Sequence, residues 1–286
     1  GSIVDAYADG MCYDITMTDD GLITAGSPDT QLTWMDAKCG GRVFTPRPGK
    51  TVEINALWYN ALIGLSKATE GGSADRPDTV REARFGADAL RRAQRCRALA
   101  AKVERSFATV FWNDDPGCLF DHVWTDRAGH AHADRSIRPN QVFAVSLPHS
   151  PLAKTRQKQV MRIVQARLLT PFGLRTLPSD DPHYHGRYCG DLYHRDEAYH
   201  QGTIWPWLIG PYAEAVLRAG GFSAAARAEA SAAISPLLER LVEGPAGGGP
   251  ACVGQLHEIH EANAPHRAVG CFAQAWSVAE LLRVYQ

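Results

Sequence analysis

Apolar side chains that return every three and four residues constrain this chain more than any other feature, because only an α-helix places such positions on one face. The clearest run carries Ile54, Leu57, Trp58, Ala61, Leu62 and Leu65, and its spacing predicts an amphipathic helix that buries that stripe. A second runs through Ala93, Cys96, Leu99, Val103, Phe107 and Val110, after a polar stretch from Glu70 to Gly86 that reads as a long connection. Ser150-Pro151 reads as an N-cap followed by proline in the first turn, opening a helix through Val160, Val164 and Leu168. Trp207 to Arg218 follows, stopped by Gly220-Gly221, then Ala224 to Leu241, a Gly/Pro linker from Gly244 to Pro250, and a last helix bearing Ala275, Trp276, Ala279 and Leu282. With Arg138 to Leu147 added, about seven helices are predicted. Strand-like alternation is confined to short pieces such as Cys118 to Trp124, enough for a hairpin. The expected fold class is all-α, as one domain over residues 1–286.

Between these helices lie long connections, around residues 29–55, 170–206 and 252–271, rich in Trp, Tyr, Arg, Asp and Glu. Connections beyond about 12–15 residues in a compact domain are usually functional, so these are expected to wall a cleft at one end of the helical scaffold. With 45% hydrophobic and 21% charged residues the chain falls in the globular range. No stretch approaches the roughly 18 uninterrupted apolar residues of a membrane span. Thirty basic against 31 acidic side chains leave no field to gather phosphate backbones or anionic lipid, so neither nucleic acid nor a membrane is an expected partner. Seven cysteines without CxxC pairs fit a reducing, cytoplasmic location. The Gly1-Ser2 start reads as a cloning remnant, with upstream sequence cut away. Histidines 183, 185, 194, 200, 257, 260 and 266 match no ligand spacing, and no Gly-rich phosphate loop stands out; no metal and no cofactor are expected.

Four constellations carry chemical potential. Trp34 places a flat apolar face two residues before Asp36, and Arg47, Glu53 and Asn55 follow as that segment enters a helix. An apolar face beside a carboxylate suits a sugar ring, which has a face of C–H groups and an edge of hydroxyls; the plainer alternative is a turn-capping Asp36 and a core Trp34. Glu258 and Glu261 stand three apart after the glycine linker, sharing a face if helical and pointing apart if extended. His200, Gln201 and Trp205 crowd the approach to a helix, where Gly202 lets a ligand come close to the backbone. Arg138 and Asn140 form a similar polar approach, with simple capping as the alternative. Two distant acids facing each other are the minimum kit for glycoside hydrolysis, one donating a proton to the leaving oxygen and the other deprotonating the attacking water.

The strings TWMDAKCGGRVFTPRPGKTVEINALWYNAL, RPNQVFAVSLP, TPFGLRTL, AYHQGTIWPWLIGP and GCFAQAWSVAELL, in collinear order from about Ile3 to the C-terminus, resemble the C-terminal glucosidase domain of glycogen-debranching enzymes, the amylo-α-1,6-glucosidase family. The resemblance implies an (α/α)6 barrel related to glucoamylase, acting with inversion on the α-1,6 glucose stub of glycogen or a limit dextrin. It makes Asp36 the general acid and Glu258 the base, with Glu261 a secondary acid candidate. Trp34, Arg47, Glu53, Asn55, Arg138, Asn140, His200, Gln201 and Trp205 become sugar-contacting or supporting residues. Inversion requires the two carboxylates to stand about 6.5–9.5 Å apart to admit a water.

Two departures stand out. Many bacterial members read EIFDGD at the base motif, where this chain reads Glu258-Ile259-His260-Glu261-Ala262-Asn263. A barrel of that family also needs more helices than are predicted, so the toroid is expected to be incomplete on its N-terminal side. The apolar surface this leaves is expected to be covered by a missing N-terminal segment, a second copy or rearranged loops. The alternatives are a truncated or non-catalytic carbohydrate-binding fragment and a related α-glucosidase or trehalase-like hydrolase.

Overall fold

In the computed structural model, which describes residues 3–68, 81–243 and 254–285, the apolar periodicity resolves into nine α-helices among the described residues. These are α1 (Ile3–Asp9), α2 (Val52–Ala68), α3 (Arg81–Val110), α4 (Phe143–Ser146), α5 (Lys154–Leu168), α6 (Leu192–Ala198), α7 (Ile209–Ala219), α8 (Ala224–Glu243) and α9 (Ala275–Tyr285). The two that periodicity does not reveal, α1 and α6, have seven residues each, too short to repeat a stripe. α7 is buried on nearly every side, from Ile209 through Tyr212 and Val216 to Ala219, and α4, α5, α8 and α9 pack around it. A narrow polar edge, Glu214 and Arg218, reaches the surface, and α7 is the axis of the core.

Several boundaries and faces differ from expectation. α2 buries Val52, Asn55, Ala56, Trp58, Tyr59, Leu62 and Ser66 as it packs on α3 and α4, while Leu57 and Leu65 of the expected stripe face outward, 43% and 48% exposed. Two apolar stripes compete on this helix, and the inner one wins because it carries Asn55, whose amide has backbone partners only on that side. On α9 the buried positions are Ser277 and Leu281, and Ala279 and Leu282 point outward. α3 begins at Arg81, so the expected connection is partly helical; the remainder, and the Gly244 to Pro250 linker, lie outside the described residues. α5 starts at Lys154, because Ser150 instead donates to the Ala144 carbonyl and accepts from Leu152 N–H, closing a turn before the helix. The segment from Arg138 splits into a 3-10 turn, Pro139–Val142, and α4.

The all-α expectation needs correction, because the long connections pair with one another. Strands Leu169–Thr170, Gly173–Arg175, Ile204–Trp205, Ile259–His260 and Ala268–Val269 form one antiparallel five-stranded sheet, with Leu174 opposite Trp205 and Ile204 opposite His260. Lys50–Thr51, His122–Thr125 and Ala131–Ala133 form a three-stranded one. Cys118 to Trp124 is thus divided, its first part pairing with Trp112–Asn113 and its last part joining the strand before α2. Half-buried loops cannot leave their amides and carbonyls unpaired, and short ladders are the local solution. These ladders fix where the polar connections stand.

Candidate active site

Asp36 sits on an extended segment whose burial alternates: Met35 and Ala37 are buried, and Asp36 between them points outward. Burial of part of its surroundings raises the Asp36 pKa above the ordinary carboxylate value, the negative charge of Glu258 raises it further, and its own backbone amide opposes them. Trp34 stands on the inner side. Its Nε1 donates to Asn140 Oδ1 at 2.7 Å, and its indole meets His200, Trp205 and Trp207 edge-on at ring separations of 5.3, 5.3 and 5.2 Å.

Glu258 comes from the third long connection and is held by donors. Cys271 N–H donates to Oε2 at 3.0 Å and the Gln274 side-chain amide to Oε1 at 3.3 Å; burial and the nearby Glu258 carboxylate raise the pKa of the Tyr199 hydroxyl. The chain between Glu258 and Glu261 is a strand, Ile259–His260, so the two acids point to opposite faces. Glu261 is buried and pairs with Arg267 at 3.2 Å, away from the Tyr199 side. His260 between them stacks on Phe172 at 4.8 Å, and burial lowers its pKa to about 4.

Behind Trp34 lies a buried ionic cluster centred on Asp121. Arg47 forks between Glu53 and Asp121, with Nη2 to Glu53 Oε2 at 2.7 Å and Nε to Asp121 Oδ2 at 2.6 Å. Burial works against the Arg47 charge, but the two carboxylates more than offset it and its pKa is raised. Asn140 Nδ2 donates to Asp121 Oδ1 at 2.7 Å, and Arg138 Nε approaches Asp121 Oδ2 at 3.8 Å. Burial would raise the Asp121 pKa; Arg47, Arg138 and His122 outweigh it, and the carboxylate is held below the usual range. Arg138 also donates to the His200 carbonyl at 2.8 Å and to Gln201 Oε1 at 2.8 Å. The cluster therefore ties the Asp36 segment, the α4 approach and the His200 segment into one rigid wall.

Of the residues picked out by sequence, Trp34, Asn140, His200 and Trp205 meet directly, whereas Arg47, Glu53 and Asn55 are spent on protein partners further back. Asn55 bonds Ile23 through both N–H and carbonyl and also donates to Thr51, anchoring α2 to the strand Ile23–Thr24. Gln201 spans Arg138 and the Phe44 carbonyl. His200 is stacked on Trp205 at 5.1 Å, and neither ring nitrogen has a partner among the described residues. Burial, with Arg138 and Arg47 nearby, lowers its pKa to about 3 and keeps it neutral. Gly202, at φ +140°, does make room for a close approach, but of the chain itself: a Cβ there would lie 2.7 Å from the His185 carbonyl oxygen.

Asp121, Tyr199 and Trp276 escape sequence reading. An acid inside the apolar alternation of Cys118 to Trp124 was the available signal for Asp121. Trp276 reads as helix core, yet it stacks on Trp207 at 5.0 Å and keeps 37% of its surface exposed.

Over residues 1–283 the chain matches the amylo-alpha-1,6-glucosidase family. It belongs to that family. The glycogen debranching enzyme of Saccharomyces cerevisiae is 26% identical to this family member, over 68% of this chain and 14% of the yeast enzyme. Among solved structures, neutral trehalase from Saccharomyces cerevisiae superposes with a TM-score of 0.55 at 12% identity, covering 82% of this chain and 37% of that one. That likeness is one of fold. A GH63 mannosylglycerate hydrolase from Thermus thermophilus matches with a TM-score of 0.48 at 16% identity, covering 82% and 45% of the two chains. The chain thus spans less than half the length of each of these three relatives. Among the described residues no helix is long and apolar enough to cross a membrane.

Proposed function

We propose that this chain carries the catalytic centre of an inverting glucosidase that releases glucose from α-1,6 branch points of glycogen or a limit dextrin. Asp36 is the general acid and Glu258 the general base. The observation that carries the reading is the unlike treatment of the two carboxyls. Asp36 is pushed toward its protonated form by burial and by Glu258, while Glu258 accepts hydrogen bonds from Cys271 N–H and the Gln274 amide. Unlike environments for two acids within electrostatic reach of each other are the usual means of assigning acid and base at one pH.

In this mechanism Asp36 gives its proton to the glycosidic oxygen as the bond from that oxygen to the anomeric carbon breaks. Glu258 takes a proton from a water attacking the opposite face of the sugar, and the product is β-glucose. The Cys271 N–H and the Gln274 amide hold Glu258 against rotation. Trp34 and Trp276 offer apolar surface to the sugar ring, and the neutral His200 behind them adds no charge to compete with the developing cation. The scaffold is part of an α/α toroid. Its outward apolar positions, Leu57 on α2 and Leu282 on α9, are where further helices or a second copy would pack.

A second reading, a glucosidase for another α-linked disaccharide such as trehalose, is favoured by the fold likeness to neutral trehalase. A substrate panel separates the two. Glucose release from a phosphorylase limit dextrin, with little from maltose or trehalose, supports debranching. Release from trehalose with the limit dextrin untouched replaces it with the second reading, and release from none of them leaves a binding fragment.

A further inference from the structure

α4 and α7 both start in the wall of the proposed site, after residues 138–140 and 200–207, and both end beside a second cavity, of about 360 Å³. The eleven residues of α7, rising about 1.5 Å each, set this cavity roughly 16 Å from the Trp207 end. It takes no part in the reaction proposed above, and its chemistry is independent of that reading.

The charged side chains that line it are all basic: His149 from the turn after α4, Lys154 from the start of α5 and Arg218 from the last turn of α7. Among the described residues no carboxylate lines it. Neutral partners hold these groups in place. Lys154 Nζ donates to the Arg218 carbonyl at 3.0 Å and to Gln157 Oε1 at 3.3 Å, and Arg218 Nε donates to the Ser146 carbonyl at 2.9 Å. The His149 backbone N–H donates to Asn60 Oδ1 at 3.1 Å, tying that residue to α2. Such contacts orient a cation without cancelling its charge. Arg218 also has an acid, Glu214 at 2.6 Å, but Glu214 is shared with Arg283 at 3.1 Å. Burial lowers the His149 pKa, and the charges of Lys67 and Arg218 lower it further, so positive potential converges on that ring. Glu104 of α3 acts from the other side, on the Tyr59 phenol, whose pKa burial and that charge raise.

Phe222 gives the same wall a second character. Gly221 carries the left-handed turn that ends α7, at φ +63°, yet Phe222 after it is also left-handed, at φ +55°, a region that a bulky side chain enters only at a cost. Burial does not repay that cost, because the ring is 45% exposed. The ring instead stands in the cavity wall, its centre 5.8 Å from the Arg218 guanidinium carbon. Backbone strain of this kind collects where a ligand is clamped. Three basic groups beside one presented ring suit a molecule with a doubly charged, multiply accepting group at one end and a flat or apolar body at the other. The volume falls within the roughly 300–1,000 Å³ of pockets for one small ligand. We propose that this cavity binds a small phosphomonoester, its phosphate on His149, Lys154 and Arg218 and its body against Phe222.

Phenyl phosphate, ribose 5-phosphate and inorganic phosphate are the probes, titrated calorimetrically at low salt into the full chain, into Lys154→Gln and into Phe222→Gly. Hydrogen–deuterium exchange is read in parallel. At least one of the two esters should bind the wild type more tightly than inorganic phosphate does, with protection of residues 147–154 and 218–222. Lys154→Gln, a change at an exposed position, should weaken that ester about tenfold or more. Phe222→Gly should weaken the ester, leave inorganic phosphate unchanged and keep the melting temperature at or above that of the wild type, since glycine adopts the left-handed turn freely. The preferred ester distinguishes a flat aromatic body from a sugar. No ester binding, equal ester affinity in wild type and Lys154→Gln, or protection confined to other segments would overturn the inference. Inorganic phosphate bound as tightly as both esters would also overturn it, because Phe222 would then have no ligand to hold.

Discussion

Burial holds the Asp36 carboxyl above its ordinary pKa, and the charge of Glu258 pushes it the same way from a distant part of the sequence. The two groups are therefore electrostatically linked before any substrate arrives. Removing the Glu258 charge should let the Asp36 pKa fall. Glu258→Gln is expected to lower the Asp36 carboxyl titration midpoint, followed by carbon-detected NMR, while hydrolysis drops roughly 100- to 10,000-fold. An unmoved Asp36 midpoint would show that the two acids do not face each other.

Asp121 is the residue on which the wall depends. Asp121→Ala leaves Arg47 and Arg138 buried without their shared partner and is expected to cost about 3–5 kcal/mol of stability, measured by urea denaturation. The pH dependence has a definite sign. The folded pKa of Asp121 is depressed, so its contribution is complete above the unfolded value of about 3.9 and disappears as pH falls from there through the folded pKa. Acid unfolding of Asp121→Asn should accordingly be less steep in that window than that of the wild type, and a parallel pair of curves would refute the assignment.

His200 makes a separate contribution at higher pH. Its folded pKa is about 3 against an unfolded value near 6.5, so below pH 6.5 the unfolded chain takes up a proton that the folded chain refuses. The wild type should lose on the order of 2 kcal/mol from this residue alone between pH 7 and pH 5. His200→Phe, which keeps a ring against Trp205, should remove that slope, as thermal melts at the two pH values would reveal.

These predictions mark where sequence reading reached and where it stopped. Helical periodicity located most of the scaffold because it is a local property. The family motifs led to Asp36 and Glu258, which the fold brings within electrostatic reach. Periodicity misjudged α2, because Leu57 and Leu65 complete an apolar stripe as regular as the buried one, and only the long-range bonds from Asn55 to Ile23 decide between them. The small sheets were illegible for the same reason: pairing of Ile204 with His260 joins segments whose own sequences carry no record of each other. Asp121 became visible only when Arg47, Arg138 and Asn140, read separately as sugar ligands or caps, converged on it.

Tyr199 links the two levels of the site. Its backbone carbonyl accepts from Thr203 Oγ1 at 2.5 Å and from Trp205 Nε1 at 3.1 Å, and its hydroxyl lies near Glu258. Tyr199→Phe keeps the ring packing and removes the hydroxyl that lies within the influence of the Glu258 carboxylate. The expected outcome is a kcat reduced roughly 10- to 100-fold with the melting temperature nearly unchanged. Wild-type kcat in a folded Tyr199→Phe chain would remove Tyr199 from the account.

The most direct test of the central claim is the anomeric form of glucose at the moment of its release from limit dextrin, followed by proton NMR with the wild type, Asp36→Asn and Glu258→Gln. The account predicts β-glucose first, mutarotating later, and none from either variant. Initial α-glucose, or undiminished release by Asp36→Asn, would contradict an inverting reaction run by this pair of acids.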